Sequence, residues 1–328
     1  MRKAIHKTQS RIVELAIAVL VFVGMSTASA QSLFDAHANM SPISALFLLD
    51  SDGIAPGGGL SLHLQTASHS AREDTTNASI LFDGESSRAR LEWRHQWNER
   101  WSFGAGVSQW WHTGGTLDGF IDDWHATFGL PDGIRDTVAK DQLQFLYAEG
   151  GVQRLDFTRS RQGIGDVTLS AQRRLGSEGV WALAGHIKLP TGSIRNLSGS
   201  GAIDFGLNLL WQQPITDTPG WSWRGGVGVV ALGESDLALV DQSGLTWVAH
   251  GEVRYRLNRR VDLGGRIEGH GALTDSNLEI LGSPALWLVT GGEIRISPQW
   301  RLHISVTEDI KVESAPDVTF NLGLQHKF

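Results

Sequence analysis

The 328-residue chain has no cysteine, two tyrosines and three methionines. Without cysteine it can build neither a disulfide framework nor a thiolate metal site. Bases are outnumbered, with 28 Lys and Arg against 35 Asp and Glu and a net charge of -7. That balance argues against nucleic acid as a partner, which calls for a basic face. Beyond residue 30 there is no uninterrupted apolar run of about 18 residues, the length a helical membrane span needs. Mean hydropathy is -0.13, too polar for a helical membrane protein. A chain that shows lipid only every second residue averages out at such a value.

The first thirty residues differ from the rest. Arg2, Lys3, Lys7 and Arg11 precede an apolar run from Leu15 to Met25, and Ala28-Ser29-Ala30 then offers small residues before Gln31. This is the pattern of a Sec-type signal peptide over residues 1–30. For the alternative, a membrane anchor, the run is short. Removing these residues takes away four bases and one acid, and moves the net charge from -7 to -10.

The remainder repeats at period two. In the last segment Val318, Phe320, Leu322, Leu324 and Phe328 alternate with Thr319, Asn321, Gly323, Gln325 and Lys327. On a strand the two sets point to opposite faces. Trp300, Leu302, Ile304 and Val306 alternate in the same way with Arg301, His303, Ser305 and Thr307. Strands are expected at 58–67, 87–97, 101–112, 163–175, 180–189, 202–213, 221–232, 244–257, 261–272, 285–296, 300–309 and 318–328. The connections alternate too. Asn98–Arg100, Gly176–Gly179, Asn258–Arg260 and Ser297–Gln299 are tight, and Pro214–Gly220 is slightly longer. Ser68–Ser86, Thr113–Gln162, Pro190–Gly201, Gly233–Ser243, Thr274–Pro284 and Ile310–Asp317 are long. Short turns on one side and long loops on the other mark an outer-membrane barrel. The expected fold is all-β: an antiparallel transmembrane β-barrel of about 12 strands over residues 58–328, with short periplasmic turns and long extracellular loops. Residues 31–57 are expected to be a periplasmic lead-in or a plug.

The aromatic residues sort by position. Trp97, Trp101, Trp181, Trp211, Trp221, Trp223, Tyr255, Trp300 and Phe328 sit beside the short turns, and Trp111, Trp247 and Trp287 at the opposite strand ends. Rings with a polar tip are most stable at the lipid headgroup level, so two aromatic girdles are expected. A final amphipathic strand ending on Phe328 is similar to the signal read by the outer-membrane assembly machinery. Outer-membrane lipid and that machinery are therefore the expected partners, and the outer membrane of a Gram-negative bacterium, reached by Sec export, the expected location.

Two stretches carry a family resemblance: Asp118–Asp136 (DGFIDDWHATFGLPDGIRD), and Gly163–Leu175 (GIGDVTLSAQRRL) with His186–Gly192 (HIKLPTG). With the terminal strand they resemble an uncharacterised proteobacterial outer-membrane β-barrel family, DUF3187-like. The resemblance implies a fold and a location, and supplies no catalytic residues.

Chemical motifs are weak, and no cofactor is expected. Gly226-Val-Gly228-Val-Val-Ala231 fits the dinucleotide fingerprint in letters, yet that fingerprint needs a turn into a helix, and here a strand pattern runs through it. Gly57-Gly58-Gly59 lacks the Gly-Lys-Ser/Thr of a phosphate loop. Asp122, Asp123 and His125 match no metal-ligand spacing and read as a solvated loop end. Residues 118–128 suggest a short amphipathic helix, placed in the barrel mouth or on the lipid surface. Residues 141–158 suggest an extra hairpin around Gly150-Gly151.

By parity the inward face carries Arg88, Arg90, Glu92, Arg94, Asp166, Lys188, Asp204, Arg224, Glu252, Arg254, Arg256, Asp262, Arg266, Glu268, Glu293, Arg295 and Arg301. Such a face is either a salt-bridged filling or a wet pore whose charges select solutes. The leading expectation is a narrow channel or passive structural barrel, not an enzyme, its solute unknown. One alternative is an outer-membrane lipid hydrolase, for which His112 with Ser108 is the only nominee. Another is surface adhesion through loop 113–162.

Overall fold

The computed structural model describes residues 33–34, 39–49, 57–128, 138–176, 180–212, 220–237, 241–310 and 315–328. Residues 1–30, read above as a signal peptide, and the His125 side chain lie outside the described residues.

Strands β1 (Gly59–Asp74), β2 (Ala78–Gln96) and β3 (Trp101–Thr113) open the wall. Above them stand helix α2 (Asp118–Phe128), the hairpin β4 (Gln144–Glu149) and β5 (Val152–Phe157), and β6 (Arg161–Ile164). The wall continues through β7 (Val167–Leu175), β8 (Trp181–Leu189), β9 (Asp204–Gln212), β10 (Trp221–Ala231) and β11 (Leu245–Arg256). It ends with β12 (Val261–His270), β13 (Ala285–Arg295), β14 (Trp300–Asp309) and β15 (Val318–Lys327). Two single-turn α-helices, α1 (Ser44–Phe47) and α3 (Glu279–Gly282), and a 3-10 turn at Ile194–Asn196 complete the elements of the described residues. None of these helices is long and apolar enough to cross a membrane.

Each wall strand pairs antiparallel with its neighbours, β3 pairs with β7, and β15 pairs with β1 from Ser68↔Val318 to Gly59↔Lys327. Twelve strands thus close on themselves, which leaves no unpaired edge to face hydrocarbon. Burial is inverted relative to a water-soluble protein. On β1, Ser61, His63 and Gln65 are buried while Leu60, Leu62 and Leu64 are exposed. Asp262 and Glu293 are 0% exposed, whereas Trp221 is 63% and Phe328 76% exposed. The dinucleotide-like segment is uninterrupted strand in β10.

Three of the tight turns share one local device. Asn98 Oδ1 accepts from the backbone N–H of Arg100 and Trp101, both at 2.9 Å. Asn258 Oδ1 does the same for Arg260 and Val261 at 2.8 and 3.0 Å. Ser297 Oγ accepts from Gln299 and Trp300 at 3.2 and 3.1 Å. A short polar side chain that satisfies the turn's own N–H groups is why Asn and Ser stand at these positions.

Two expected boundaries need correction. Ser68–Ser86 is not a loop: β1 and β2 continue through it as a ribbon, and reverse where Thr75 N–H donates to Ala78 O at 2.8 Å. At 19 residues β2 is far longer than the 9–11 or so that cross a bilayer. Its excess carries β4, from Ala78↔Glu149 to Asp83↔Gln144. Gly84, at φ +133°, marks the exchange of partners; a Cβ there would meet Leu143 at 2.9 Å and Thr113 O at 3.0 Å. The expected strand 163–175 is broken as well. Gly165 N–H turns to Ser108 O at 2.7 Å, and the Asp166 carboxylate accepts from Gly192 and Ser200 N–H at 2.8 and 3.1 Å. The expected extra hairpin is β4–β5, turned by Gly150 and Gly151 at φ 62° and 75°.

Candidate functional site: the interior of the barrel

Inward-facing side chains reach across to hold the backbone of the N-terminal segment. Leu33 N–H donates to Glu252 Oε1 at 2.9 Å, and Leu33 O lies 2.9 Å from His303 Nδ1. Arg266 donates to Phe34 O at 3.4 Å, and Asn39 Nδ2 lies 2.7 Å from His270 Nε2. Lys188 donates to Leu46 O. Leu33, Met40, Ile43 and Phe47 are fully buried. Residues 33–34 and 39–49 therefore lie inside the barrel, and Gly57 re-emerges at the turn end, bonded to Gln96 Oε1 at 2.6 Å. The wall is cut to receive them: a Cβ at Gly206 would lie 3.1 Å from Leu49 Cδ1.

All seventeen inward-face charges expected from parity are buried or half-buried. Most fall into three groups. On β11–β14, Asp262 takes Arg254, Arg256 and Arg295, while Glu293 takes Arg254, Arg295 and Arg301 at 3.1–3.3 Å. Arg266 bridges Glu268 at 2.7 Å and Glu252 at 3.9 Å. On β2, Glu92 sits 3.8 Å from Arg90 and 3.4 Å from Arg94. On β7–β9, Lys188 joins Asp204 and lies 3.6 Å from Asp166. Arg224 is also buried. Buried ion pairs of this kind add little net stability, but losing one partner strands the other in a low-dielectric interior.

Toward the long-loop end the filling becomes apolar. Ile43, Leu46, Phe47, Leu48 and Leu49 join one cluster with Leu197, Leu232, Leu237, Leu273, Leu278, Ile280 and Leu281 from the loops and Phe82, Phe145, Tyr147 and Phe157 from the raised hairpins. Trp287 belongs inside rather than in a girdle. It is 2% exposed, packs in a cluster with Leu33 and Phe34, and its ring lies 5.6 Å from His270. Its place at a strand end suggests a girdle, but parity turns it inward opposite Glu268.

Trp97, Trp181, Trp221, Trp223, Tyr255, Trp300 and Phe328 are exposed, and Trp101 and Trp211 half-buried, all beside the short turns. Trp221 packs on Tyr255 with centroids 4.9 Å apart and ring planes tilted by 44°, and Trp300 lies 4.6 Å from His326. The proposed Ser108–His112 pair is not what the structure assembles. His112 Nδ1 lies 2.8 Å from Ser86 Oγ and its Nε2 3.0 Å from Leu197 O. Both ring nitrogens are thus engaged, and His69 Nε2 lies 2.9 Å from the same Ser86 Oγ, a contact that spacing in sequence could not indicate. In the loop, Asp122 pairs with Lys140, whose pKa this hydrogen bond raises. Phe120 of α2 packs on Phe320, an outward residue of β15, at 5.8 Å. That contact places the start of α2 against the outside of the wall rather than in the mouth.

These features define a class: a closed twelve-stranded barrel of the outer-membrane type, with a charged interior occupied by its own N-terminal segment. A family described as "Protein of unknown function (DUF3187)" matches residues 11–328, and the chain belongs to it. No curated protein matches the sequence. Among solved structures, the COG4313 outer membrane channel from Pseudomonas putida F1 is similar at a TM-score of 0.54 and 13% identity, covering 85% of this chain and 98% of that one. A KdgM porin gives 0.43 at 11% identity over 82% and 99% of the two chains. The P. putida toluene transporter TodX gives 0.41 at 12% identity over 83% and 90%. At these identities the first likeness speaks for the fold alone.

Proposed function

We propose that this protein is exported to the outer membrane of a Gram-negative bacterium and acts there as a narrow channel, closed at rest by its own residues 33–34 and 39–49. The exposed apolar wall and the aromatic rows beside the turns suit lipid contact. The terminal strand ending on Phe328 would be the segment that the assembly machinery reads. The observation that carries the channel reading is the polar wall behind the segment. A barrel serving only as a pillar is filled at least as stably by apolar packing, because buried ion pairs seldom repay their desolvation. A wall of Ser61, His63, Gln65, Arg88, Asn208 and Arg224 is what a water-admitting lumen needs. The segment is held by side chain-to-backbone hydrogen bonds, which water can replace one for one when it leaves, and by apolar packing of Ile43, Leu46, Phe47, Leu48 and Leu49, which opening must break.

Single-channel recording in planar bilayers tests this. The intact protein is expected to be nearly silent, and the variant lacking residues 33–49 to give steady, ohmic openings. A folded deletion variant with no conductance would defeat the reading.

A further inference from the structure

Between the N-terminal segment and the wall lies a cavity of about 40 Å³. Its two sides differ in chemistry. The segment contributes Ala45, Leu46, Leu48 and Leu49, the wall contributes Arg88, Arg90, Lys188 and Trp110 with the hydroxyls of Ser108 and Thr168, and the loop after β8 contributes Ser198. Three cations and one carboxylate, Asp166, line it; Lys188 is paired with Asp204 and lies 3.6 Å from Asp166, which is itself bonded to two backbone N–H groups, and Arg90 lies 3.8 Å from Glu92. The guanidinium groups are held in place. Arg88 Nε donates to Gln65 Oε1 at 2.8 Å, and the group lies over the Trp110 ring at 5.3 Å. Arg90 donates to Thr168 Oγ1 at 2.9 Å. All three cationic residues are more than nine-tenths buried.

We propose that this cavity is a binding site for a small organic carboxylate with an apolar tail. This rests on the channel reading and names its solute class. Planar guanidinium groups suit a carboxylate's two oxygens, and the leucines suit a short hydrocarbon or aromatic tail. An inorganic anion would leave the leucine side unmatched, and a hydrocarbon would leave buried cations facing it. At about 40 Å³ the cavity holds only a few waters. A benzoate-sized solute enters only if Leu48 and Leu49 move, so binding displaces the segment that closes the lumen.

Calorimetric titration of the folded, detergent-solubilised protein tests the site, with benzoate, neutral benzamide and inorganic phosphate as probes. Benzoate is expected to bind once per chain, and benzamide and phosphate at least tenfold more weakly. Arg90→Gln should weaken benzoate at least tenfold. Leu48→Glu, which leaves the wall untouched and offers the cations a tethered carboxylate, should abolish binding even if the arginine variant fails to fold. Benzamide or phosphate binding as tightly as benzoate, or benzoate affinity unchanged by Leu48→Glu, would overturn the proposal. Conductance by the variant lacking residues 33–49, without benzoate binding to the intact chain, would overturn the site and spare the channel. Benzoate binding without conductance would do the reverse.

Discussion

Gly206 offers a wedge that acts on the closing segment and spares the wall. A Cβ at this position would meet Leu49 Cδ1 at 3.1 Å, while the nearest wall atom, His186 Cβ, lies at an ordinary 3.6 Å. Alanine thus asks Leu49 to move by a few tenths of an ångström, and valine or leucine fill the space Leu49 occupies. Overpacking of this kind costs about 1–3 kcal/mol. The wall has no reason to pay it, since glycine in a strand interior is the weaker choice. The cost therefore falls on the docked state of the segment and raises its undocked fraction by about 5- to 150-fold. The natural absence of cysteine makes the assay clean. Ser44→Cys introduces one near-isosteric thiol at a site 2% exposed. Its labelling by a water-soluble maleimide should be slow, and where reclosing outpaces labelling the rate tracks the open population. The series Gly206→Ala, →Val and →Leu should accelerate labelling progressively, and benzoate should accelerate it in the parent. Equal rates across the series would refute the claim that Leu49 seats on Gly206 as part of a separable plug.

Other outcomes follow from the same geometry. Asp262→Ala strands Arg254, Arg256 and Arg295 without one of their carboxylates, and urea unfolding in detergent should show a loss of about 3–5 kcal/mol. Asn98→Ala removes the acceptor for two turn N–H groups and should cost about 1–3 kcal/mol by the same assay. His112→Ala should leave any lipid-hydrolase assay at background for parent and variant alike, since Ser86 and Leu197 already occupy the imidazole; phospholipid turnover lost on this substitution would restore the hydrolase alternative.

The wall was legible because its two faces differ in kind. On β14 and β15 every outward residue is apolar or aromatic over most of the strand, so periodicity alone gave direction and register. The ribbon above the membrane was not legible. Residues 68–86 are rich in Ser, Asp, Glu and Thr, a composition that reads as loop when no alternation of apolar residues marks a face. They pair with one another, from Ser68↔Glu85 to Asp74↔Ser79, and Ala78–Asp83 pair in addition with β4, over sixty residues away. Trp287 misled for a related reason: at the long-loop end both faces carry large apolar residues, so the position of an aromatic no longer reports its side. The interior charges followed from parity, but their pairing did not. The seat of the segment was hidden too, because Leu33 and its partner Glu252 are 219 residues apart. A buried lysine such as Lys188 signals that something polar faces it, without saying that it is Leu46 O.

The central claim is that the outward face of a closed barrel meets lipid while the inward face meets polar neighbours. Leu209 and Asn208 are adjacent on β9, the first 40% exposed and the second 2% exposed. Unfolding free energies measured by urea titration in phospholipid vesicles compare Leu209→Arg with the parent most directly. An arginine on the lipid face near the membrane midplane should cost about 2–4 kcal/mol, and the same variant should lose little of that in short-chain detergent where water is near. Equal stability of Leu209→Arg and the parent in vesicles would contradict the account.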